Sequence, residues 1–245
     1  MKNILALLIV ALFSQCLYAG LKVDYEAGLV QSGYNDVQIP GNTGTRFSLS
    51  TQDLSIKSDF FWRTTIIDEI SPKSSFELLI APLTLKTEGT LKTPITFTDK
   101  TFATGSQING TYRFDSYRLR YLYLVQESKK VKTWLGLTAK IRDASIKLSD
   151  GATITEKQNT GLVPLIAFKV QWDAFDNDFS VLCQGDALAA PQGRAEDVLV
   201  ALQYKYDATL AFKLGYRVLE GGADNDVVYN FALLHYIALG ATFSF

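Results

Sequence analysis

The sequence has little cysteine, a single histidine, no marked excess of either charge and, beyond its first residues, no apolar run long enough for a membrane-spanning helix. The 245 residues carry 24 basic and 25 acidic side chains, and their cysteines are Cys16 and Cys183. This near balance lacks the basic footprint of a nucleic-acid-binding protein, so we expect no such partner. If Cys16 is removed with a leader, one thiol remains, which excludes an internal disulfide framework. Stability must then come from backbone pairing and packing.

Residues 1–19 have the layout of a secretory signal peptide. Lys2 supplies the positive start, residues 4–13 are apolar, and Ala19 offers a cleavage position. This run is too short to span a bilayer as a helix. We therefore predict export, with residues 20–245 forming one domain. A lipid-anchored Cys16 is the alternative, although Gln15 stands where such a signal carries Gly, Ala or Ser.

Hydrophobicity in the rest of the chain is dispersed as alternation. From Leu210 to Val218 every second residue is apolar, and the residues between them are small or basic. A period of two indicates a β-strand, so the fold class is all-β. The pattern predicts about ten strands, near residues 21–34, 53–67, 74–87, 111–126, 132–147, 161–174, 178–189, 195–206, 208–220 and 227–245. Pro82 and Pro164 fall inside predicted strands, where we expect a bulge or a local irregularity.

The connections between these strands alternate in length. Those near 68–73, 127–131, 175–177 and 207 are short, whereas those near 35–52, 89–110 and 148–160 are long. Short turns on one rim and long loops on the other are typical of an outer-membrane barrel. We predict a monomeric, transmembrane, antiparallel up-and-down β-barrel in contact with outer-membrane lipid, with both ends of the chain on the periplasmic rim.

A soluble β-sandwich would show the same alternation, but two features favour the barrel. Aromatic residues fall in two bands, which matches the girdles at the two faces of a membrane. Charged residues stand between large apolar neighbours, so in a barrel they point into the lumen, where they must pair or be hydrated. The lumen-lining candidates are Asp24, Glu26, Asp59, Arg63, Arg118, Arg120, Lys140, Arg142, Lys213 and Arg217, and Lys57, Glu77, Lys169, Asp186 and Asp197 share their orientation.

The end of the sequence resembles the C-terminal signal of bacterial outer-membrane barrels. In that signal a glycine precedes two aromatic or apolar residues at alternate positions, here Gly240, Phe243 and Phe245. The resemblance implies recognition by the outer-membrane barrel assembly machinery. Segments 34–37, 193–197 and 215–230 also resemble those of functionally uncharacterised outer-membrane proteins of this size.

Candidate catalytic residues are few. By parity with Phe243, His235 faces outward, and Ile237 stands where the lipid A deacylases, a family with a similar lipid-facing histidine, carry a serine. We therefore expect no hydroxyl within reach of His235 that it could activate as a nucleophile. Ten strands also resemble the omptin proteases, but here Asp36, Asp224 and Asp226 near the outer rim have no inward histidine to complete the set. Residues 224–226 offer oxygens to Ca²⁺, although such runs are usually turns. We expect no enzymatic activity, catalytic residue, metal or cofactor.

Two roles remain for the charged lumen. In the first role, the charges form a salt-bridged plug that fills the barrel. In the second role, the excess of basic residues lines a narrow solute passage that weakly prefers anions. Eight-stranded barrels are filled by side chains, so about ten strands favour the plug. The alternatives from other classes are a surface recognition protein and a lipid-modifying enzyme.

Overall fold

The computed structural model describes residues 20–174, 178–191 and 193–245. The predicted signal peptide and the predicted turn at 175–177 lie outside the described residues. No helix in the described ranges is long and apolar enough to cross a membrane. The strands are β1 (Leu21–Gln38), β2 (Phe47–Ser48), β3 (Leu54–Ile56), β4 (Asp59–Ser71), β5 (Ser74–Ala81), β6 (Thr84–Thr90), β7 (Ile95–Phe97), β8 (Lys100–Phe102), β9 (Gln107–Glu127), β10 (Val131–Ser149), β11 (Ile154–Trp172), β12 (Phe179–Ala190), β13 (Gly193–Lys205), β14 (Leu210–Asp224) and β15 (Tyr229–Ser244).

Ten antiparallel strands form a closed barrel, which confirms the predicted fold class. Each barrel strand pairs with the next along the chain, and β5 and β6 together serve as one interrupted strand between β4 and β9. The first strand closes the barrel by pairing with the last, from Lys22 opposite Ser244 to Gln38 opposite Tyr229. Closure removes the open edges, which lipid cannot satisfy because it offers no hydrogen bonds.

The outer face of the barrel is apolar and exposed in the half nearer the short turns. On β10, for example, Leu135, Leu137 and Ile141 are 48%, 69% and 49% exposed, whereas Thr138 and Lys140 between them are buried. This is the lipid-facing pattern of a transmembrane barrel, with the inward positions polar. Exposed aromatic residues flank the band at the short-turn end, and they include Tyr123, Trp172, Phe179, Tyr204, Tyr206, Phe243 and Phe245.

A single side chain organises the short turn between β13 and β14. The carboxylate of Asp207 accepts hydrogen bonds from the backbone amides of Thr209 at 2.7 Å and Leu210 at 2.8 Å, and from the Thr209 hydroxyl at 2.8 Å. The backbone amide of Thr209 and its hydroxyl lower the pKa of Asp207, because both stabilise the carboxylate. The turn is thus held by an ionised side chain.

The two prolines differ in their effect. Strand β5 ends at Ala81 and β6 begins at Thr84, so Pro82 interrupts the strand as predicted. Strand β11 instead runs unbroken through Pro164, which lies opposite Ala139 on β10. Pairing of β11 with β12 starts only at Ile166, so Pro164 lies beyond that ladder and no bulge is needed. The expected irregularity at Pro164 is therefore wrong, because the strand is regular there.

Several strands continue far beyond the apolar band, which corrects the predicted long connection at 148–160. Strands β10 and β11 are joined only by residues 150–153. Above Ile141, the outward positions carry Asp143, Lys147 and Glu156, and the inward positions carry Ile146 and Leu148. The polar outward residues suggest a loop in the sequence, but the alternation persists with its polarity reversed. At about 3.3 Å per residue, residues 141–149 add about 25 Å of strand above the lipid.

These extensions enclose an apolar core, which we call the extracellular head. The connections between β1 and β4 and between β6 and β9 fold into it rather than projecting as open loops. Their short strands pair with the barrel or with each other, β2 with β1, β3 with β6 and β7 with β8. The core consists of buried side chains, among them Val37, Leu49, Leu54, Leu85, Leu91, Phe97, Phe102, Ile108 and Leu148.

The pairing of β1 with β15 closes the barrel, and we call it the closing seam. It predicts that substitution of Gly28 destabilises the barrel. Gly28 pairs with Ala238 on β15, and a β-carbon there would collide with the carbonyl oxygen of Ile237. We expect Gly28→Val to weaken the seam and lower the thermal unfolding midpoint of the refolded barrel. The control is Ala27→Val, since Ala27 faces the lipid side of the same strand. Heat-dependent mobility on gels measures both, and equal midpoints would contradict the prediction.

Candidate functional site in the barrel interior

Asp197 on β13 is the centre of a buried ion-pair network. It is 3% exposed and binds three arginines from three other strands. Its Oδ2 accepts from Arg63 on β4 at 3.0 Å and from Arg118 on β9 at 2.6 Å, and its Oδ1 accepts from Arg217 on β14 at 2.6 Å. Strands β4 and β9 are not neighbours of β13, so two of these contacts cross the lumen.

Asp186 on β12 forms a second centre and is fully buried. Arg118 donates to it at 2.7 Å and Arg120 at 2.6 Å, while the Thr138 hydroxyl on β10 donates at 2.6 Å. Arg120 also donates to Glu77 on β5 at 2.6 Å. Because Arg118 binds both aspartates, the two centres form one network.

A third group joins the network on the periplasmic side. Lys213 on β14 donates to Asp24 at 2.5 Å and to Glu26 at 2.8 Å, both on β1. Glu26 also accepts from Arg217 at 2.7 Å, which links this group to Asp197. Every carboxylate in the network thus has at least one cationic partner, the condition under which buried charge is tolerated.

The predicted lumen candidates divide into two groups. Eight are buried, namely Asp24, Glu26, Arg63, Arg118, Arg120, Lys140, Lys213 and Arg217. Asp59 is exposed at the start of β4 and lines a groove with Lys57 and Lys86, and this placement corrects the expectation that it lines the lumen. Arg142 is half-buried and donates to the side chain of Asn159 on β11, apart from the network.

Lys140 differs from the other buried cations. Its ammonium lies 4.8 Å from the ring centroid of Phe114, and it forms no ion pair with a described residue. A cation over an aromatic face is stabilised by the ring quadrupole. Lys140 therefore sits at the upper edge of the network, against aromatic rather than acidic groups.

Apolar side chains form a layer directly above the charges. Phe61 on β4 and Tyr236 on β15 meet edge to face with ring centroids 4.8 Å apart. Leu219 and Tyr112 belong to the same buried cluster, which continues into the extracellular head. Sequence reasoning missed this layer. The signal was the change from charged to apolar residues at inward positions of the outer half, for example from Arg118 to Tyr112 on β9.

His235 faces the outer surface, beside a tyrosine of the neighbouring strand. The predicted absence of a hydroxyl within its reach is wrong, because the Tyr216 hydroxyl on β14 lies 2.6 Å from His235 Nδ1. The hydroxyl belongs to the neighbouring strand β14, so the residues next to His235 along β15 do not reveal it. The two rings stack with centroids 6.0 Å apart.

The acidic residues of the outer rim do not converge on this histidine. Asp36 lies 3.9 Å from Arg46, while Asp224 is exposed at the end of β14 and Asp226 is exposed in the β14–β15 connection. Asn225 in that connection accepts the backbone amides of Val227 and Val228, each at 3.0 Å, as in an ordinary turn. Among the described residues, no group of three or more histidine, cysteine or acidic side chains is placed to hold a metal ion.

Comparison with solved structures identifies the class of barrel. The outer-membrane protease OmpT of Escherichia coli superposes with a TM-score of 0.56 at 9% sequence identity, over 92% of this chain and 97% of that one. The chain has the fold of the Gram-negative outer-membrane β-barrel proteins. At such low identity the likeness concerns the fold of this outer-membrane barrel alone.

Other outer-membrane barrels resemble it more distantly. The Neisserial surface protein NspA gives a TM-score of 0.39 at 13% identity, over 92% of this chain and 97% of that one. The toluene transporter TodX of P. putida gives 0.38 at 8% identity, over 93% and 91%. No family model and no curated protein matches this outer-membrane barrel.

The network predicts a large stability loss on removal of its centre. In Asp197→Asn, three arginines lose a shared charged acceptor, so we expect the free energy of unfolding to fall by about 3 to 5 kcal/mol. Glu127→Gln is the control: it removes an exposed pair with Lys132 and costs under about 1 kcal/mol. Urea unfolding in detergent micelles, followed by tryptophan fluorescence, measures both. Similar losses in the two variants would contradict a central role for Asp197.

Proposed function

We propose that this outer-membrane barrel is a non-conducting structural scaffold that holds an ordered extracellular head at the cell surface. The observation that carries the proposal is the network around Asp197 and Asp186, whose ion pairs cross the lumen from β9 to β12 and from β4 and β9 to β13. Conduction requires a hydrated path, and side chains joined across the lumen oppose one.

The apolar layer supports the same proposal. Phe61 and Tyr112 are each 2% exposed, and they lie on the extracellular side of Arg63 and Arg118 along β4 and β9. An ion leaving the network toward the cell exterior would have to enter this layer and shed its water, which is costly. The narrow solute passage is therefore the weaker of the two lumen roles.

Three further proposals complete this role. We propose that the barrel is a monomer whose exterior meets outer-membrane lipid. We propose that Gly240, Phe243 and Phe245 are read by the barrel assembly machinery, since Phe243 and Phe245 are exposed on the outer face. We propose no catalysis by the His235–Tyr216 pair, because no carboxylate of the described residues hydrogen-bonds to the imidazole.

Planar bilayer recordings test the scaffold. We expect no single-channel steps from the refolded protein, and none after deletion of residues 93–104, which removes the β7–β8 hairpin but leaves the ion-pair network. Steady steps from the intact protein would overturn the proposal. Steps from the deletion variant alone would show that the head, rather than the network, forms the seal.

A second role, surface recognition, is favoured by a groove of about 540 Å³ on the extracellular head. Lys86 on β6 and Lys147 on β10 line it on either side of Thr111 on β9, because Thr111 pairs with both. Two strand spacings separate the lysines by about 10 Å. Such a pair suits a negatively charged saccharide, with its hydroxyl groups near Thr111 and Asn109.

Immobilised dextran sulfate tests this role. We expect the double variant Lys86→Gln, Lys147→Gln to lose retention at low salt, because the two lysines beside Thr111 are gone and the remaining lysine of the groove, Lys57, is paired with Glu88 at 2.5 Å. The matched control is Lys129→Gln, Lys130→Gln in the β9–β10 turn on the opposite rim. Equal retention of the two double variants would exclude the groove as the binding surface.

A further inference from the structure

A polar cavity of about 270 Å³ lies in the periplasmic half of the barrel, below the charged network, and we call it the lower cavity. Its wall combines the Trp134 ring and the apolar Leu122 and Leu182 with the side-chain amides of Gln171, Gln184 and Gln203. A second cavity of about 430 Å³ shares Lys22, Gln171, Gln203 and Thr242 with it and is lined by residues of the β13–β14 turn. Together they lead from the periplasmic rim into the lumen.

The acidic residues of the lower cavity already have cationic partners. Asp24 binds Lys213 at 2.5 Å, and Glu77 binds Arg120 at 2.6 Å. Nearer the rim, Glu69 binds Lys22 at 2.5 Å and Glu127 binds Lys132 at 3.0 Å. The charges of these carboxylates are therefore already neutralised by ion pairs, and so are the charges of the lysines that bind them.

Two lysines of the cavity form no ion pair with a described residue. Lys73 is exposed in the β4–β5 turn, where water hydrates its ammonium, whereas Lys169 lies on β11. Its side chain is half-buried and points inward, with the ammonium 5.2 Å from the Trp134 ring centroid. No carboxylate oxygen of the described residues lies within 4.0 Å of it. A partly desolvated ammonium without a counter-ion is unfavourable, so an anion that bound beside Lys169 in the cavity would be stabilised.

We propose that the lower cavity binds the terminal carboxylate of a short peptide from the periplasm, with Lys169 as its counter-ion. The amides of Gln171, Gln184 and Gln203 can both donate and accept, which suits the alternating groups of a peptide backbone. The volume lies just below the usual range for drug-sized ligands, so it admits a chain end rather than a folded domain. The second cavity accommodates the residues that precede the terminus.

Calorimetric titration of the refolded barrel in detergent tests the proposal with N-acetyl-trialanine as the probe. We expect the free acid to bind, and its C-terminal amide to bind at least about tenfold more weakly, because the charge is gone. Lys169→Met should weaken binding of the acid by at least about tenfold, and Lys169→Arg should retain it. The matched control is Lys132→Met, which removes an already paired lysine of the same cavity and should leave the affinity within about twofold.

Several results would overturn the proposal. These are equal binding of acid and amide, unchanged affinity in Lys169→Met, or no heat of binding at millimolar peptide. Inorganic phosphate is titrated in parallel, and phosphate binding at Lys169 without peptide binding would overturn the peptide assignment. Heat-dependent mobility on gels verifies that each variant is folded, and retained binding in Lys169→Arg separates loss of charge from loss of structure.

Discussion

The interior of this barrel depends on one carboxylate shared among guanidinium groups. Asp197 accepts from Arg63, Arg118 and Arg217, which come from β4, β9 and β14. In a closed sheet, backbone hydrogen bonds connect only neighbouring strands, whereas these side chains connect strands on opposite sides of the lumen. The polar inward face that a membrane barrel requires is thereby turned into a cross-link, and the cost of burying charge is offset by near-complete pairing.

The network also separates the interior into two environments. Above it, apolar side chains extend from Phe61 into the extracellular head, and below it a polar cavity opens toward the periplasm. Both environments belong to the same strands, and only the residue type at inward positions changes along them. On β9, for example, the inward residues run from Leu122 near the periplasm through Arg120 and Arg118 to Tyr112 and Ile108 in the head.

Most of the barrel could be predicted from the sequence, because period-two alternation and short turns are local signals. The inward orientation of Arg118 and Lys213 follows from parity alone. The length of β10 and β11 could not be predicted in this way, because polar outward residues above the membrane look like a loop until their partners are known. The Tyr216–His235 contact and the pairing of particular acids with particular arginines depend on which strands are adjacent and on how the barrel curves. The sequence shows neither directly.

The ion pairs of Asp197 join residues far apart in the chain, since Arg63 precedes it by 134 positions and Arg118 by 79. A slip of one residue in the pairing of β13 would turn the Asp197 side chain outward, into lipid, and leave its arginines without an acceptor. Backbone hydrogen bonds alone barely distinguish the correct alignment from such a slip. The charged network therefore stabilises the correct strand alignment selectively. Its ion pairs form only in the barrel in which all the distant strands are in register.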